Sequence, residues 1–513
     1  MTYGELDRAT DALAYVLHGL GLMPLDRAVF QMSNSTDLLI SLIGCWKAGV
    51  IPICTLATHR EAEIGYLAQH GGATGYFVQA ADSKFDYPAF ALQMQARVPS
   101  IKHIVTGGAS SVPGTTSLRQ AITSVDPVAA KAHVERVCAS LDPMQPVVFQ
   151  LSGGTTGVPK IIPRLNFEYL YNMQSVFDWN DRVSDEVVFC AGPMVHNAGM
   201  VCHWGPSLLR GGTIIVDNVL TVEGLRDILA QHHPTWMFVP RPLIGRMKQA
   251  MADLDFDASD VKGVVTASNT KTVREELGLP GLHIFGMAEG LIMTTRIDDP
   301  LDALEVSVGR PVSRLDEVLI VKPGTTEPVT IGETGELICR GPYTIRGYYD
   351  AEDRNKDAFT ADGFYRSGDL LSTREVGGNI YFVFEGRLKD VINRGGEKIS
   401  CDEIERAIRG FPGMYDIALV AMPDEVYVER GCAFVCMESG HSAPTVAALG
   451  LYLQAKGIAK YKWPERVQLI EAMPTTSSAK ISKPLLRQMI TDILREESAL
   501  TKQSEPLSAK SMT

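Results

Sequence analysis

A chain of 513 residues exceeds what one hydrophobic core organises, so it divides into a few domains. Its 45% hydrophobic and 21% charged residues are those of a globular protein, and 48 basic against 60 acidic side chains leave a net charge of −12, which excludes nucleic acid or an anionic membrane as the main partner. Nine cysteines without a Cys-x-x-Cys pair or a histidine cluster at ligand spacing, and a start that lacks an export signal, predict a cytoplasmic protein with small-molecule partners and no membrane attachment.

Apolar spacing over residues 4–22 predicts an amphipathic helix, Leu38–Ala48 a second, and Val50–Leu56 an apolar stretch after it. Strand signals follow at Gly75–Val78, Ile101–Thr106, Val147–Leu151, Glu186–Cys190 and Met237–Val239, with a helix at Val222–His232. Alternation of this kind implies mixed α/β layers in which parallel sheets are covered by helices. Around residues 310–385 short strands with glycine-rich turns, such as Gly335–Gly341 and Gly378–Phe384, predict a compact β region. After Arg387 a new α+β pattern begins, with helices at Asp402–Arg409 and Thr445–Lys456 and strands at Ile417–Ala421, Cys432–Cys436 and Arg466–Glu471. It predicts a small C-terminal domain. Thr501–Thr513 is polar and aperiodic, the pattern of a disordered tail.

The segment Leu151-Ser-Gly-Gly-Thr-Thr-Gly-Val-Pro-Lys160 has the makeup of a phosphate cradle. Gly153, Gly154 and Gly157 let backbone N–H groups approach oxyanions, Ser152, Thr155 and Thr156 supply hydroxyl donors, and Lys160 supplies a positive charge. It is not a Walker A loop, because no Gly-Lys-Ser/Thr follows. Taken alone it reads as a Gly/Ser turn after an apolar strand. The motifs downstream overturn that reading: Pro193-Met-Val-His196-Asn197, Phe285-Gly-Met-Ala-Glu289-Gly, Gly341-Pro-Tyr-Thr-Ile-Arg-Gly-Tyr-Tyr349, Asp362-Gly-Phe-Tyr-Arg-Ser-Gly-Asp369, Glu385–Lys398 with Arg387 and Lys389, and Met473-Pro-Thr-Thr-Ser-Ser-Ala-Lys480.

In this order the motifs resemble the acyl-adenylate-forming superfamily across nearly the whole chain, and most of all its stand-alone aryl-acid adenylating enzymes, the dihydroxybenzoate- and salicylate-AMP ligases. The fold implied is a large N-terminal domain of stacked mixed sheets with helices plus a β-barrel (residues 1–388), a small mobile C-terminal lid (389–500) and the tail (501–513). The activity implied is attack of a carboxylate on ATP to give an acyl-AMP and pyrophosphate, then transfer to a thiol. By the resemblance, Ser152–Gly157 and Lys160 hold the β- and γ-phosphates. Glu289 ligates Mg²⁺, and Gly286, Met287 and Ala288 of its motif lie beside the nucleotide. Asp369 and Arg387 take the ribose, while Lys389 is the hinge of the lid. Lys480 bridges the substrate carboxylate and the α-phosphate, although Ala479 stands where the family has glycine. Gly395 and Gly396 line the tunnel for the thiol.

The resemblance writes substrate identity around His196, Asn197, Ala198 and Cys202, with Ala267, Ser268 and Gly286 on the facing wall. His196 takes a gating and catalytic position, and Asn197 donates to an ortho substituent or carboxylate of the acid. Cys202 stands where dihydroxybenzoate enzymes commonly carry serine and several salicylate enzymes cysteine, which argues against dihydroxybenzoate. Ala198 replaces an aromatic residue of the relatives and removes a ring-sized volume, so a larger ortho-hydroxy or ortho-amino aryl or heteroaryl acid is expected. Val265-Thr-Ala-Ser-Asn269 stands where the relatives have a Gly-Gly-Ala turn, and its side chains narrow the approach or reposition the backbone. A buried structural thiol is the expectation for the eight other cysteines. No carrier domain follows the lid, so the acceptor is coenzyme A or the phosphopantetheine thiol of a carrier protein in trans. A benzoate-type CoA ligase of aromatic degradation and a catalytically silent binding homologue are the competing readings; intact Lys480, Glu289, Asp369 and Arg387 weigh against the second.

Overall fold

The computed structural model describes residues 1–504 except 81, 83, 109–110, 153–158, 218, 241–242, 255, 268–269, 395–396 and 477–479. Two seven-stranded sheets form the scaffold. The first runs, in spatial order, Thr116–Ser117, His103–Gly107, Ala73–Gln79, Arg27–Gln31, Ile51–Cys54, Pro146–Leu151 and Ile161–Leu165, and only the last strand is antiparallel to its neighbour. Its central strand reads Ala28-Val-Phe30 with no exposure at all, as a parallel strand covered on both faces requires. The second sheet runs Arg310–Pro311, Ile292–Thr294, Gly281–Gly286, Gly263–Thr266, Trp236–Phe238, Val187–Cys190 and Thr213–Ile215, parallel from Gly281–Gly286 onward.

One apolar cluster welds the two sheets through helices Tyr3–Gly19, Thr36–Ala48 and Asn166–Trp179, joining Leu17, Leu38 and Met173 to Phe30 of one sheet and Leu282 of the other. Burial of this kind contributes about 1.5–3 kcal/mol for each large side chain. Helix Thr36–Ala48 starts where the Ser35 Oγ accepts from the Leu38 N–H at 3.1 Å, and it ends at Gly49, whose φ of 73° suits only a residue without a Cβ. Helices Glu61–His70 and Tyr87–Arg97 cover the far face of the first sheet, and Val222–His232 and Ile244–Ala252 that of the second.

The β-rich region expected as a barrel contains, among the described residues, a four-stranded antiparallel sheet of Glu317–Val321, Gly335–Arg340, Tyr365–Val376 and Asn379–Arg387. Its edge strands are joined further, Phe382 bridging Gly309 next to the second sheet and Val321 bridging Pro328. From Val391 onward a five-stranded sheet carries its own apolar clusters on both faces, and this smaller unit follows the large one. Thr501–Ser504, expected as part of a disordered tail, belong instead to helix Lys483–Ser504, whose buried face at Leu486 and Ile490 anchors a long, otherwise charged segment. Residues 505–513 lie outside the described residues. No described helix is long and apolar enough to cross a membrane.

Candidate functional site

Parallel strands leave their loops at one edge, and ligand crevices form outside the carboxyl ends of such strands. In the second sheet Cys190 is level with Phe238 and Phe238 with Val265. The loops leaving this edge carry Pro193–Ala198, Ala267, and Gly286–Glu289. Gly192 packs so tightly on the Phe238 ring that a Cβ would sit 2.6 Å from its Cε1. The Asn34 amide holds this loop from the first sheet, its Nδ2 donating to the Gly192 carbonyl at 2.8 Å and its Oδ1 accepting from the Met194 N–H at 2.8 Å.

At the phosphate-loop end, strands Pro146–Leu151 and Ile161–Leu165 form a hairpin closed by two bonds between Ser152 and Lys160, the Ser152 N–H donating to the Lys160 carbonyl at 3.0 Å and the Lys160 N–H to the Ser152 Oγ at 3.1 Å. Gly153, Gly154, Thr155, Thr156 and Gly157 lie outside the described residues. The Lys160 ammonium sits 4.3 Å over the Tyr348 ring, and burial lowers its pKa against the opposing pull of Glu289. Tyr348 in turn donates to the Glu289 Oε1 at 2.8 Å and lies 2.9 Å from the Tyr365 hydroxyl. Glu289 is buried, and among the described residues no hydrogen bond reaches its second oxygen. Gly286 is exposed at this edge, with Met287 and Ala288 half-buried behind it.

The motif loops around Glu289 and Tyr343 are tied together by a residue that the sequence reading passed over. Arg164, fully buried, donates through Nη1 to the Ala288 carbonyl and through Nη2 to the Tyr343 carbonyl at 2.7 Å, with Glu168 as its counter-ion. An arginine inside the apolar strand Ile161-Ile-Pro-Arg164-Leu was the available signal, since a buried guanidinium demands partners.

Asp369 and Arg387 face each other across adjacent strands, with the Arg387 Nε 3.2 Å from the Asp369 Oδ1. Burial raises Asp369 to about 6, against the pull of Arg387. Lys480 enters this pair from the C-terminal domain. Lys480 is exposed to solvent yet has protein on most sides, so lost hydration lowers its pKa first and Arg387 further, while Asp369 raises it. Its loop is pinned by the Thr476 N–H donating to the Lys480 carbonyl at 2.7 Å. Lys389, on the turn Leu388–Asp390, is exposed and lowered by partial burial and then by Arg387; the neighbouring Asp390 pairs with Arg487 at 3.0 Å. Gly395 and Gly396 lie outside the described residues.

His196 opens to solvent in the cleft yet is walled by protein on most sides. Lost hydration, with Lys480 nearby, pushes its imidazole down to about 4. The Ala198 N–H donates to its Nδ1 at 3.3 Å, which leaves the proton of the neutral ring on Nε2. Asn197 is buried and accepts from the Tyr169 hydroxyl at 2.6 Å. Ala198 is half-buried and leads into a π-helix, Gly199–Trp204, that carries Cys202, a buried thiol raised to about 12 by desolvation. Ala267 is exposed on the opposite loop, its carbonyl accepting from the His283 Nε2 at 2.9 Å; Ser268 lies outside the described residues. The thiols are free and all buried but one: Cys138, expected inside, is exposed because it ends the surface helix Pro127–Cys138.

Phe238 and Tyr169 join the residues that line or support this cleft, and only the fold brings them there. Among the described residues no cluster of three metal-ligating side chains occurs.

Residues 1–349 match the AMP-binding enzyme family, and residues 403–480 match the AMP-binding enzyme C-terminal domain. Over 501 residues the chain is 37% identical to triostin synthetase I of Streptomyces triostinicus, covering 96% of this chain and 90% of that one. It is 34% identical over 506 residues to the 2,3-dihydroxybenzoate-AMP ligase of Bacillus subtilis, covering 96% and 89% of the two chains. The apo structure of MbtA from Mycobacterium smegmatis is 31% identical, with a TM-score of 0.66 over 95% of this chain and 90% of that one.

Proposed function

Because the chain belongs to the AMP-binding enzyme family, we propose that it activates an aromatic carboxylic acid with ATP and passes the acyl group to a thiol, as an aryl-acid adenylating enzyme of a secondary-metabolite pathway. The observation that carries this is the meeting of His196, Asp369, Arg387 and Lys480 in one cleft, close enough for their charges to act on one another, although they come from four separate motifs.

In the first half-reaction an oxygen of the acid forms a bond to the α-phosphorus while the bond to the β-phosphate oxygen breaks, giving acyl-AMP and pyrophosphate. Two anions must approach each other, so positive charge is what the protein has to supply. Lys480 stabilises the charge that builds between carboxylate and phosphate. Asp369, ionised, accepts from both ribose hydroxyls, and Arg387 holds it in place. Ser152 and Lys160 fix the ends of the phosphate loop. A single buried carboxylate with one oxygen unengaged suits Mg²⁺, which takes most of its shell from phosphates and water; Glu289 would hold it, and the ion would offset phosphate charge.

His196, neutral and with its proton on Nε2, presents a donor at the cleft, while Asn197, Ala198, Cys202 and Phe238 shape the acid pocket. In the second half-reaction the thiol gives up its proton to solvent, its sulfur bonds to the acyl carbon, and AMP leaves with its phosphate oxygen taking the bonding pair. Residues 389–500 act here as a lid turning about Lys389, which withdraws Lys480. The acceptor is coenzyme A or a separate carrier protein.

Acid-dependent ATP–pyrophosphate exchange, followed by mass spectrometry with coenzyme A added, tests the reading. Exchange selective for one class of aromatic acid is expected. A folded chain that binds ATP yet exchanges with no aromatic acid would remove it.

A further inference from the structure

The π-helix Gly199–Trp204 passes into the α-helix Gly205–Arg210 at a point where the backbone runs short of donors. The Gly205 N–H still reaches back five residues, to the Met200 carbonyl. The next residue is Pro206, which has no N–H, so the Cys202 carbonyl four residues behind it loses the donor that an α-helix would supply. Cys202 is buried, and a buried carbonyl left without a partner costs free energy comparable to a lost hydrogen bond.

Arg182, twenty residues earlier in the chain, supplies that donor. Its Nη1 donates to the Cys202 carbonyl at 3.2 Å, and its Nη2 lies 3.3 Å from the His203 carbonyl and 2.7 Å from the Ser207 Oγ. One guanidinium thus grips the end of the π-helix and the start of the α-helix. Glu186 aims it, accepting from Nε at 2.8 Å and from Nη2 at 2.5 Å, and the Ser207 hydroxyl donates to the same carboxylate. The side chains of this ion pair are 3% and 1% exposed, so water does not compete for the bonds. The anchor belongs to the second sheet: Glu186 directly precedes strand Val187–Cys190, and the guanidinium lies 5.4 Å over the ring of Trp236 in strand Trp236–Phe238. Phe238 of the same strand stacks on the His203 ring, their centroids 4.5 Å apart, so the sheet holds the π-helix by ring and guanidinium together.

We propose that Arg182 is a positioning residue for acid binding, which makes up for the N–H that Pro206 lacks and so holds the π-helix where it presents Cys202 to the acid pocket. This rests on the aryl-acid reading above and deepens it. Arg182 is buried and acts through the backbone of Cys202 and His203. Turns of the π type are rare within helices and gather at functional sites, and here the turn persists because a donor from another segment takes the carbonyl that the helix cannot serve itself. Without that donor the carbonyl must turn to find one, and the Cys202 and His203 side chains turn with it. The nucleotide is assigned to other loops, around Ser152, Glu289 and Asp369, so the constants for acid and for ATP separate the effect.

Arg182→Lys keeps a positive charge beside Glu186 but has no fork to serve carboxylate and carbonyls at once. In ATP–pyrophosphate exchange with the full chain, run with salicylate, anthranilate and quinaldate, its KM for whichever acid the wild type accepts should rise about tenfold, while the KM for ATP stays within about twofold. Pro206→Ala puts an N–H back at the break, and added to Arg182→Lys it should return the acid KM to within about threefold of the wild type. Two changes that merely weaken the fold would add instead of cancelling. Should Arg182→Lys not fold, Glu186→Gln keeps the guanidinium and sets donor against donor in one arm of the fork; the acid KM alone should then rise about threefold, and an unchanged value counts against the inference. A folded Arg182→Lys overturns it if the acid KM is unchanged or if the acid and ATP constants rise together, and so does a double variant no better than Arg182→Lys. Absence of wild-type exchange with every aromatic acid removes the functional reading beneath it as well; a missing rescue removes this inference alone.

Discussion

Lys480 and Asp369 show what the cleft does to single residues. Lys480→Ala removes the cation between carboxylate and phosphate, and acyl-AMP formation should fall by about 10²–10³-fold, while thioester formation from supplied acyl-AMP stays within a few-fold. Equal loss of both half-reactions in stopped assays would contradict that role. Asp369 has a pKa raised by burial to about 6, and the ribose-binding role proposed for it requires the ionised form. The KM for ATP should therefore rise about tenfold from pH 7 to pH 5, an effect Asp369→Asn should lack. The same shift acts on stability with the opposite sense: the folded free protein keeps this proton longer than the unfolded chain, so stability falls as pH rises from the ordinary carboxylate range through about 6. His196, held near 4 by desolvation, stays mostly neutral from pH 5 to pH 7 and adds no limb to the KM profile there.

At the scale of elements, the loops that carry the motifs are held by close backbone approaches that forbid substitution. Gly290 adopts φ of 146°, and a Cβ there would lie 2.5 Å from the Tyr343 carbonyl oxygen. Gly290→Ala must push apart the two loops that Arg164 ties together. A loss of about 1–3 kcal/mol is expected, read as a lowered melting temperature with an adenylation rate that falls in parallel. Elements were unevenly legible. Helix Val222–His232 and strand Gly335–Arg340 follow from periodicity and turn residues, as expected. Helix Asn166–Trp179 was not predicted: its buried positions are Glu168, Tyr169, Asn172, Met173, Ser175 and Val176, a mix of polar and apolar side chains that hides the stripe. The π-helix Gly199–Trp204 has no sequence signal of its own, because its six residues are buried on all sides and tertiary contacts set its wide turn.

Across the whole molecule, the C-terminal domain meets the large one around Phe384 and Glu385, where the Arg406 Nη1 donates to the Phe384 carbonyl at 3.1 Å. The Arg406 Nη2 lies 2.8 Å from the Glu385 Oε2, the Ser400 Oγ donates to the Glu385 carbonyl at 2.7 Å, and the Ser372 Oγ donates to Oε1 at 3.0 Å. These contacts hold Lys480 beside Asp369. Arg406→Ala, a half-exposed residue outside the cleft, should slow adenylation by a few-fold and leave transfer from supplied acyl-AMP unchanged or faster, which separate half-reaction rates would show. The order of the motifs, read along the chain, determined the family and the reaction, since that chemistry needs particular functional groups at particular places in short motifs. Tertiary structure alone decided that the β-rich region is built on a four-stranded sheet bridged to its neighbours, that the Asn197 amide oxygen accepts from Tyr169, and that Arg164 ties the loops around Ala288 and Tyr343 together. The reason is physical: a side chain's identity is written locally, but its burial, its partners and the direction of its hydrogen bonds are set by residues far away in sequence.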